Sequence, residues 1–337
     1  MHKKDKVFMQ RCIELAQKGL GNTYPNPLVG CVIVKNDEII AEGWHKKAGA
    51  AHAEVDAIQK VTNKSILKEC TLFVNLEPCS HFGKTPPCTD LIIEMGIPNI
   101  VIGCQDSNEK VSGKGIKKLI EAGCNVITGV LEKKCQTMNQ RFFTFHEKKR
   151  PYIILKWAES KDGFMAPKNP EKDYWLTHPH SRQRVHQWRS EEQAILVGSQ
   201  TVLNDDPNLS TRLWFGKNPI RFAIDPNHRI PKKSNLNDGK ITTFFLVDEN
   251  SDRKSDNNII SAEKILESLY KKNIQSVIIE GGAKTLEFFI ENKIWDVARV
   301  FKTNKNLNDG LLAPKIEGEL KSRTTIQNDI LFEIYSD

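Results

Sequence analysis

The residues with the clearest chemical potential in this sequence are one histidine, one glutamate and two cysteines within the first hundred positions. His52 and Glu54 stand two residues apart, and Cys79 and Cys88 follow a predicted strand. One imidazole and two thiolates suit Zn²⁺, and three protein ligands leave a fourth tetrahedral position for water. Zinc lets water ionise near neutral pH, and a carboxylate that is not a ligand can carry protons during attack on an amidine-like ring carbon. The pattern therefore predicts a zinc-dependent deaminase with ligands His52, Cys79 and Cys88 and with Glu54 as the catalytic proton carrier.

The spacing of the two cysteines departs from the common deaminase signature. That signature ends in Pro-Cys-x-x-Cys, whereas eight residues, SHFGKTPP, separate Cys79 from Cys88. A closed structural zinc site is the alternative, with His81 as the candidate fourth ligand. The presence of Glu54 favours the catalytic site, because a structural site needs no proton carrier. Residues i and i+2 of a regular helix point apart, so His52 and Glu54 can converge only in an irregular first helical turn.

Alternating strand and helix patterns position these residues in the first half of the chain. Residues 28–35 and 38–44 are predicted to form a hairpin around Asn36-Asp37, after an amphipathic first helix. Six further elements follow: helix 51–61, strand 71–78, helix 86–96, strand 99–104, helix 115–124 and then strand 125–130. This order predicts a layered α/β domain.

The charged run HEKKRP at 146–151 interrupts the pattern and marks a predicted boundary between domains 1–146 and 151–337. The second half again alternates strands and helices, which predicts a second α/β domain. Its predicted elements are strand 152–158, helix 180–191, a strand and turn over 194–207, strands 219–226 and 241–248, helix 262–273, a strand–Gly-Gly–helix unit over 275–292 and strand 296–303.

Composition is that of an ordinary globular protein and excludes several other classes of protein. The chain is 39% hydrophobic and 27% charged, which is close to average globular usage. No apolar run approaches the roughly 20 residues of a membrane span, and the start has no signal-peptide pattern. The net charge of +7 is spread over interspersed Lys and Glu, which favours local phosphate sites over a nucleic-acid stripe. Eight cysteines without an export signal indicate a reducing cytoplasm rather than disulfides.

Three strings in the first half of the chain resemble a known family. The strings PNPLVGCVIV (25–34), HAEVDAI (52–58) and NLEPCSHFGKTPPCTD (75–90) resemble the deaminase domain of the bifunctional riboflavin-biosynthesis deaminase–reductase family, which has the longer cysteine spacing. The resemblance implies a cytidine-deaminase-like α/β/α fold. It also implies a substrate, 2,5-diamino-6-ribosylamino-4(3H)-pyrimidinone 5′-phosphate, whose 2-amino group is replaced by oxygen. Four residues are expected to line its pocket, namely Asn26, His45, His81 and Lys84.

The second half is similar to the reductase domain of the same family, although it has no G-x-G-x-x-G fingerprint. The similar strings are LKWAESKDGFMA (155–166), TVLNDDPNLSTR (201–212) and VIIEGGAKTL (277–286). The resemblance implies a dihydrofolate-reductase-like α/β fold and NADPH-dependent reduction of the ribosyl group to ribityl. A Gly-Gly turn between strand and helix suits phosphate binding, because helix N-termini present free N–H groups.

The resemblance also assigns residues to the reductase pocket. Lys156 and Glu280 are the candidates for proton handling or contact with sugar hydroxyls. Substrate positions are Asp173, Arg189, Leu209, Arg212 and Glu280. Cofactor positions are Ala158, Trp175, Thr201, Asp205, Pro226, Gly282, Ala283, Lys284, Thr285, Leu286, Glu287 and Phe288. The chain departs from the family pattern at Glu159, at Lys161 and at Asp173, where serine is frequent, and its C-terminal part lacks a clear APKLLGG-like strand and turn.

The expected cofactors are one Zn²⁺ per chain and NADPH, and the expected partner is a small phosphorylated pyrimidine. We expect a cytoplasmic homo-oligomer that binds neither nucleic acid nor membranes. One rival is a zinc-dependent nucleoside or nucleic-acid deaminase with an inactive or accessory C-terminal domain. The other is a binding protein with a structural zinc ion.

Overall fold

The computed structural model describes residues 3–82, 86–107, 112–169, 174–247 and 260–336. The chain separates into two compact units, Met1–Lys149 and Arg150–Asp337, and the division lies within the HEKKRP segment. Among the described residues, none of the helices has both the length and the apolar character that crossing a membrane requires.

The first unit is built on a five-stranded sheet in the order β2-β1-β3-β4-β5. The β1 strand pairs antiparallel with β2 and β3, and β3, β4 and β5 are parallel to one another. The strands are β1 (Gly30–Lys35), β2 (Glu38–Trp44), β3 (Thr71–Leu76), β4 (Asn99–Cys104) and β5 (Asn125–Thr128). The helices are α1 (Lys3–Gln17), α2 (Ala53–Lys60), α3 (Cys88–Glu94), α4 (Lys114–Glu121), α5 (Glu132–Met138) and α6 (Gln140–Lys148), with a 3₁₀ turn at Lys64–Glu69.

Alternating side chains of the sheet form two separate cores. Ile33 packs with Ala57 of α2 and Ile92 of α3 on one face. Val32 packs with Ile13 of α1 and with residues of α5 and α6 on the other face. This α/β/α layering agrees with the predicted cytidine-deaminase-like architecture. It also places the starts of α2 and α3 on the same side of the sheet.

The second unit contains an eight-stranded sheet in the order β10-β9-β8-β11-β6-β12-β15-β14 and a small β13-β7 pair. Its strands are β6 (Tyr152–Glu159), β7 (Phe164–Pro167), β8 (Ala194–Gly198), β9 (Ile220–Ile224), β10 (Thr243–Leu246), β11 (Ser276–Ile279), β12 (Val297–Lys302), β13 (Gly310–Leu312), β14 (Glu319–Ile326) and β15 (Asp329–Tyr335). Its helices are α7 (Pro179–Glu191), α8 (Ser199–Asp205), α9 (Ala262–Lys271) and α10 (Ala283–Glu291), with a 3₁₀ turn at Asn235–Asn237.

Six neighbouring strands of this sheet, from β10 to β12, are parallel. Parallel strands expose their carboxyl ends along one edge of the sheet, where ligands bind in open α/β folds. The segments that follow β8, β9 and β11 therefore meet at that edge. These are the segments that contain most of the predicted cofactor residues.

The structure corrects the sequence prediction at several elements. Residues 199–205 form α8 rather than a turn, because the chain enters a helix directly from β8 at Gly198 and leaves it at Asp206, which has a φ of 37°. The helices α5 and α6 and the strands β7 and β13–β15 were not predicted. The C-terminal strand that was not clear from the sequence is β13, directly before Ala313-Pro314-Lys315.

Candidate active sites

Three metal-binding side chains converge in the first unit. His52 is the N-cap of α2 with an extended backbone (φ −70°, ψ 163°), Cys79 lies in the loop after β3, and Cys88 is the first residue of α3. The Nδ1 atom of His52 lies 3.2 Å from Sγ of Cys88 and 3.6 Å from Sγ of Cys79. Ligand atoms around a tetrahedral zinc ion are roughly 3.6 Å apart. The three side chains therefore have the chemistry and the spacing of a zinc site.

The two cysteines differ in their tendency to ionise. The thiol of Cys88 donates a hydrogen bond to Cys79 and holds the pKa of Cys79 at about 4, with burial opposing this effect and His52 adding to it. The backbone N–H of Cys88, at the start of α3, donates to Sγ of Cys79 at 3.3 Å. A helix N-terminus favours a thiolate in this way. Cys79 and Cys88 therefore both lie at the N-terminus of α3.

Glu54 lies beside this cluster and is not part of it. Its side chain is buried, with 3% of the residue exposed. Burial, together with the negative charge of Cys79, raises the pKa of Glu54 to about 7. A carboxyl group with such a pKa can accept and release protons at neutral pH. The extended backbone of His52 allows it to converge with Glu54, as the prediction of an irregular first turn required.

Of the four predicted pocket residues, the structure brings Asn26 and His45 to the metal-binding cluster. The His45 ring lies 5.5 Å from the His52 ring, centroid to centroid. Nδ1 of His45 is 3.0 Å from the carbonyl oxygen of Ala51, and Nε2 is 3.0 Å from Nδ2 of Asn26. A proton on Nδ1 satisfies both contacts, because Nε2 then accepts from the amide of Asn26. The Oδ1 acceptor of Asn26 then stays available for a ligand.

His81 and Lys84 are not brought to the cluster by the described structure. His81 is exposed, and the group of potential metal ligands found in the described residues consists of His52, Cys79 and Cys88 without it. Lys84 lies outside the described residues. The structure therefore gives no support to His81 as a fourth ligand of a closed zinc site.

A charged cluster occupies the second unit. Glu280 follows β11 directly, and Lys156 lies on the neighbouring parallel strand β6. Both carboxylate oxygens of Glu280 accept hydrogen bonds from Arg189 of α7, at 2.8 and 2.9 Å, and Lys156 lies 3.5 Å away. Burial by itself raises the pKa of Glu280, but the charges of Arg189 and Lys156 outweigh it and hold the pKa at about 2. Glu280 is therefore a permanent anion between two cations.

Leu209 and Arg212 lie beside this cluster. Leu209 is buried and has a φ of 51°. Burial, with the neighbouring charge of Arg189, lowers the pKa of Arg212. Arg189 is already paired with Glu280, whereas the Arg212 guanidinium has no hydrogen-bond or ion-pair partner within the described ranges. Asp173, the remaining predicted substrate position, lies outside the described residues.

The predicted cofactor residues follow the carboxyl ends of the parallel strands. Thr201 of α8 accepts a hydrogen bond at Oγ1 from the N–H of Gly282, at 2.8 Å, and thereby joins the starts of α8 and α10. A Cβ atom on Gly198 would lie 2.3 Å from Oγ1 of Thr285, so the backbone approaches closely there. Ala158 lies near the end of β6, Asp205 ends α8, Pro226 follows β9, and the range 282–288 spans the cap and first turns of α10. These positions form a continuous edge, with helix N-termini that suit the phosphates of a dinucleotide.

The structure also shows contacts that the sequence interpretation missed. Trp175 is 47% exposed, and the Arg182 guanidinium lies 4.7 Å from the centre of its ring. His186 of α7 is buried, and its Nδ1 atom accepts a hydrogen bond from the backbone N–H of Arg212 at 3.2 Å. The helical spacing of Arg182, His186 and Arg189 was the signal in the sequence, because residues i, i+4 and i+7 share one face of a helix.

Comparisons with known proteins match each of the two units to a known domain. Residues 2–104 match the cytidine and deoxycytidylate deaminase zinc-binding region, and residues 151–328 match the RibD C-terminal domain. The riboflavin biosynthesis protein RibD of Aquifex aeolicus is 39% identical over 319 residues, which cover 91% of this chain and 89% of that protein. The chain belongs to the RibD family of riboflavin biosynthesis proteins. RibD of Bacillus amyloliquefaciens is 39% identical over 332 residues, 94% of this chain and 88% of that protein.

Solved structures of RibD proteins share the fold over almost the whole chain. The diaminohydroxyphosphoribosylaminopyrimidine deaminase/5-amino-6-(5-phosphoribosylamino)uracil reductase of Thermotoga maritima superposes with a TM-score of 0.90 at 37% identity, covering 99% of both chains. RibD of Acinetobacter baumannii, form 1, has a TM-score of 0.89 at 31% identity, again over 99% of both chains. The predicted family, the predicted pair of folds and the predicted combination of a deaminase with a reductase are thus confirmed.

Proposed function

We propose that the first unit hydrolytically deaminates 2,5-diamino-6-ribosylamino-4(3H)-pyrimidinone 5′-phosphate and that the second unit then reduces its ribosyl group with NADPH. The observation that carries the first half is the convergence of His52, Cys79 and Cys88 beside the buried carboxyl group of Glu54. The second half rests on the ion cluster of Glu280 and on the RibD C-terminal domain match. That match also favours a working reductase over the rival of an accessory domain.

In the deaminase site, His52 and the thiolates of Cys79 and Cys88 would hold a zinc ion. The bound ion supplies Lewis acidity, which makes water nucleophilic at neutral pH. Glu54 takes one proton from the attacking water and delivers it to the ring nitrogen. It then carries the remaining proton of the added hydroxyl group to the amino group, which leaves as ammonia while the carbonyl group forms. The Oδ1 atom of Asn26, whose amide is held by His45, accepts a hydrogen bond from the pyrimidine edge.

In the reductase site, bound NADPH supplies the hydride to C1′ of the sugar. The starts of α8 and α10, which the hydrogen bond between Thr201 and Gly282 keeps together, would hold its phosphates. Lys156 donates a proton at the ring oxygen, and Glu280 holds Lys156 and Arg189 in place. Three cations, Lys156, Arg189 and Arg212, face one carboxylate. This excess positive charge suits a dianionic 5′-phosphate, which Arg212 can bind through two parallel N–H groups.

Three further features stay predictions. They are a cytoplasmic location, a homo-oligomeric assembly and a stoichiometry of one zinc ion per chain. Binding of nucleic acid is not expected, since a small phosphorylated pyrimidine satisfies the chemistry of both sites.

The Arg212→Ala variant separates the two reactions. We expect kcat/KM for NADPH oxidation to fall about 10- to 100-fold, the usual cost of a charge-assisted hydrogen bond, while ammonia release is unchanged. Arg184→Ala is the matched control, because Arg184 is exposed on the same unit and is expected to leave both rates unchanged. An equal loss of both activities in Arg212→Ala would contradict the assignment of two separate sites.

A further inference from the structure

The segment 208–212, which contains two predicted substrate residues, has no regular secondary structure. It is held instead by hydrogen bonds between its backbone and the side chains of other elements. Those bonds are Arg221 to the carbonyl of Asn208 (3.3 Å), Arg189 to the carbonyl of Ser210 (3.1 Å), the N–H of Thr211 to Oδ1 of Asn218 (2.8 Å) and the N–H of Arg212 to Nδ1 of His186 (3.2 Å). Three of the four partners are charged or amide side chains, and the fourth is an imidazole.

The imidazole of His186 holds the backbone of Arg212, the residue of this segment that is proposed to bind the substrate phosphate. His186 lies on α7, one helical turn before Arg189, and 4% of the residue is exposed. Its Nδ1 atom accepts a hydrogen bond and therefore carries no proton, so the ring is neutral with its proton on Nε2. Burial, followed by the charges of Arg189 and Arg212, lowers the pKa of His186 to about 4, which keeps the ring neutral at physiological pH.

The position of His186 requires a hydrogen-bond acceptor that carries no charge. Arg212 needs a fixed backbone, because its guanidinium has no partner of its own among the residues described. A carboxylate in place of His186 would also accept the backbone N–H, but its charge would neutralise Arg212 or Arg189 and weaken their attraction for an anion. An apolar side chain would remove the acceptor of this part-buried N–H and release the backbone of Arg212. An imidazole anchors the segment without reducing the positive charge of the site.

We propose that His186 is a positioning residue of the reductase site, which holds the backbone of Arg212 so that its guanidinium faces the phosphate of the substrate. This inference rests on the proposed function, because it requires Arg212 to bind that phosphate. His186 itself makes no contact with the substrate. Its contribution is therefore expressed through the backbone of the segment that positions Arg212, which His186 contacts at Arg212 and at Ser210.

Two substitutions isolate the acceptor atom. His186→Asn keeps an acceptor, since Oδ1 of asparagine occupies the place of Nδ1, whereas His186→Leu removes it at similar volume. We expect KM for the phosphorylated reductase substrate to rise about tenfold in His186→Leu, which corresponds to the loss of one hydrogen bond that fixes Arg212, with a smaller change in kcat. In His186→Asn, KM should return to within about threefold of the wild type. Ammonia release, measured on the same samples, should be unchanged.

The decisive comparison repeats His186→Leu in the Arg212→Ala background. If His186 acts through Arg212, the tenfold effect disappears there, because interacting residues are not additive. Val185→Ala is the structural control, since Val185 is equally buried on α7 but packs in the apolar cluster with Trp188 and Phe301. We expect Val185→Ala to lower the unfolding midpoint without raising KM.

The outcomes distinguish this inference from the proposed function. If Arg212→Ala raises KM and His186→Leu does not, or if the two effects add in full, the positioning role is wrong while the reductase site stands. If Arg212→Ala leaves KM unchanged, the assignment of Arg212 itself fails. If His186→Asn behaves like His186→Leu, the acceptor atom is not what matters, and the inference is likewise overturned.

Discussion

The Glu280→Gln substitution tests the charged cluster of Glu280, Arg189 and Lys156 through its effect on the free energy of unfolding of the second unit. Glu280 is an anion enclosed between Arg189 and Lys156, with 8% of its side chain exposed. Glutamine keeps the shape but removes the charge. Arg189 and Lys156 then remain close together without compensation, which is costly for buried cations.

The contribution of the Glu280 charge to the free energy of unfolding follows from the pKa of Glu280. Its value in the folded protein is about 2, against an ordinary value of 4.5. Each pKa unit corresponds to about 1.4 kcal/mol, so the folded environment favours the carboxylate by about 3 kcal/mol. Because the folded pKa is the lower one, this contribution is complete above the ordinary pKa and is lost as the pH falls from about 4.5 towards 2. At pH 4 it should be smaller by roughly 1 kcal/mol.

Denaturant unfolding followed by tryptophan fluorescence is a suitable assay, because five of the six tryptophans lie in the second unit and Trp44 alone in the first. We expect Glu280→Gln to lower the free energy of unfolding of that unit by about 3 kcal/mol at pH 7, and by a smaller amount at pH 4. Glu291→Gln, an exposed acid in the same unit, serves as the control and should change little at either pH. An undiminished difference at pH 4, or none at pH 7, would refute the reasoning.

The remaining predictions concern the deaminase site. Glu54→Gln should retain zinc by metal analysis but lose ammonia release by about 10²- to 10⁴-fold, because its buried carboxyl group transfers the protons; full activity in this variant would disprove that role. Removal of zinc with a chelator should stop ammonia release and leave NADPH oxidation on the already deaminated substrate intact. A parallel loss of both activities on chelation would indicate that zinc supports the fold of the whole chain rather than the deaminase chemistry.

Local sequence signals were sufficient where neighbouring residues decide the structure. The Asn36-Asp37 pair predicted the β1–β2 hairpin, and both residues have positive φ values, 50° and 64°, as a two-residue hairpin turn requires. The three residues of the candidate metal site could also be named from the sequence, because His52, Cys79 and Cys88 belong to motifs with distinctive spacing. The three side chains come together in the fold because α2 and α3 start on the same side of the sheet.

The missed elements had weak or conflicting signals. The asparagine and two aspartates at 204–206 suggested a turn, yet they end the helix α8. The edge strand β14 is mostly exposed, so it lacks the apolar alternation that identifies a strand. The helix α6 was missed because it ends within the charged segment 146–151, which was interpreted as a domain boundary. Its packing comes from the buried side chains of Phe142, Phe143 and Phe145.

The reductase cluster could not be derived from spacing. Lys156 and Glu280 are separated by 124 positions and meet because β6 and β11 are neighbours in the sheet. Only the family resemblance assigned them to one pocket. The spacing of His186 and Arg189 on one helix face was visible in the sequence. The contact of His186 with Arg212 was not, because Arg212 lies in a segment with no secondary structure of its own.

A coupled assay on the 2,5-diaminopyrimidinone ribosyl phosphate, combined with a zinc determination, tests the central claim that one chain performs both reactions. Ammonia and NADP⁺ should both form in the presence of NADPH, and ammonia alone should form in its absence, from protein that contains zinc. The contrary result is ammonia release from the first substrate with no oxidation of NADPH, either in that assay or in one that starts from the deaminated product. It would contradict the account of the second unit as a reductase.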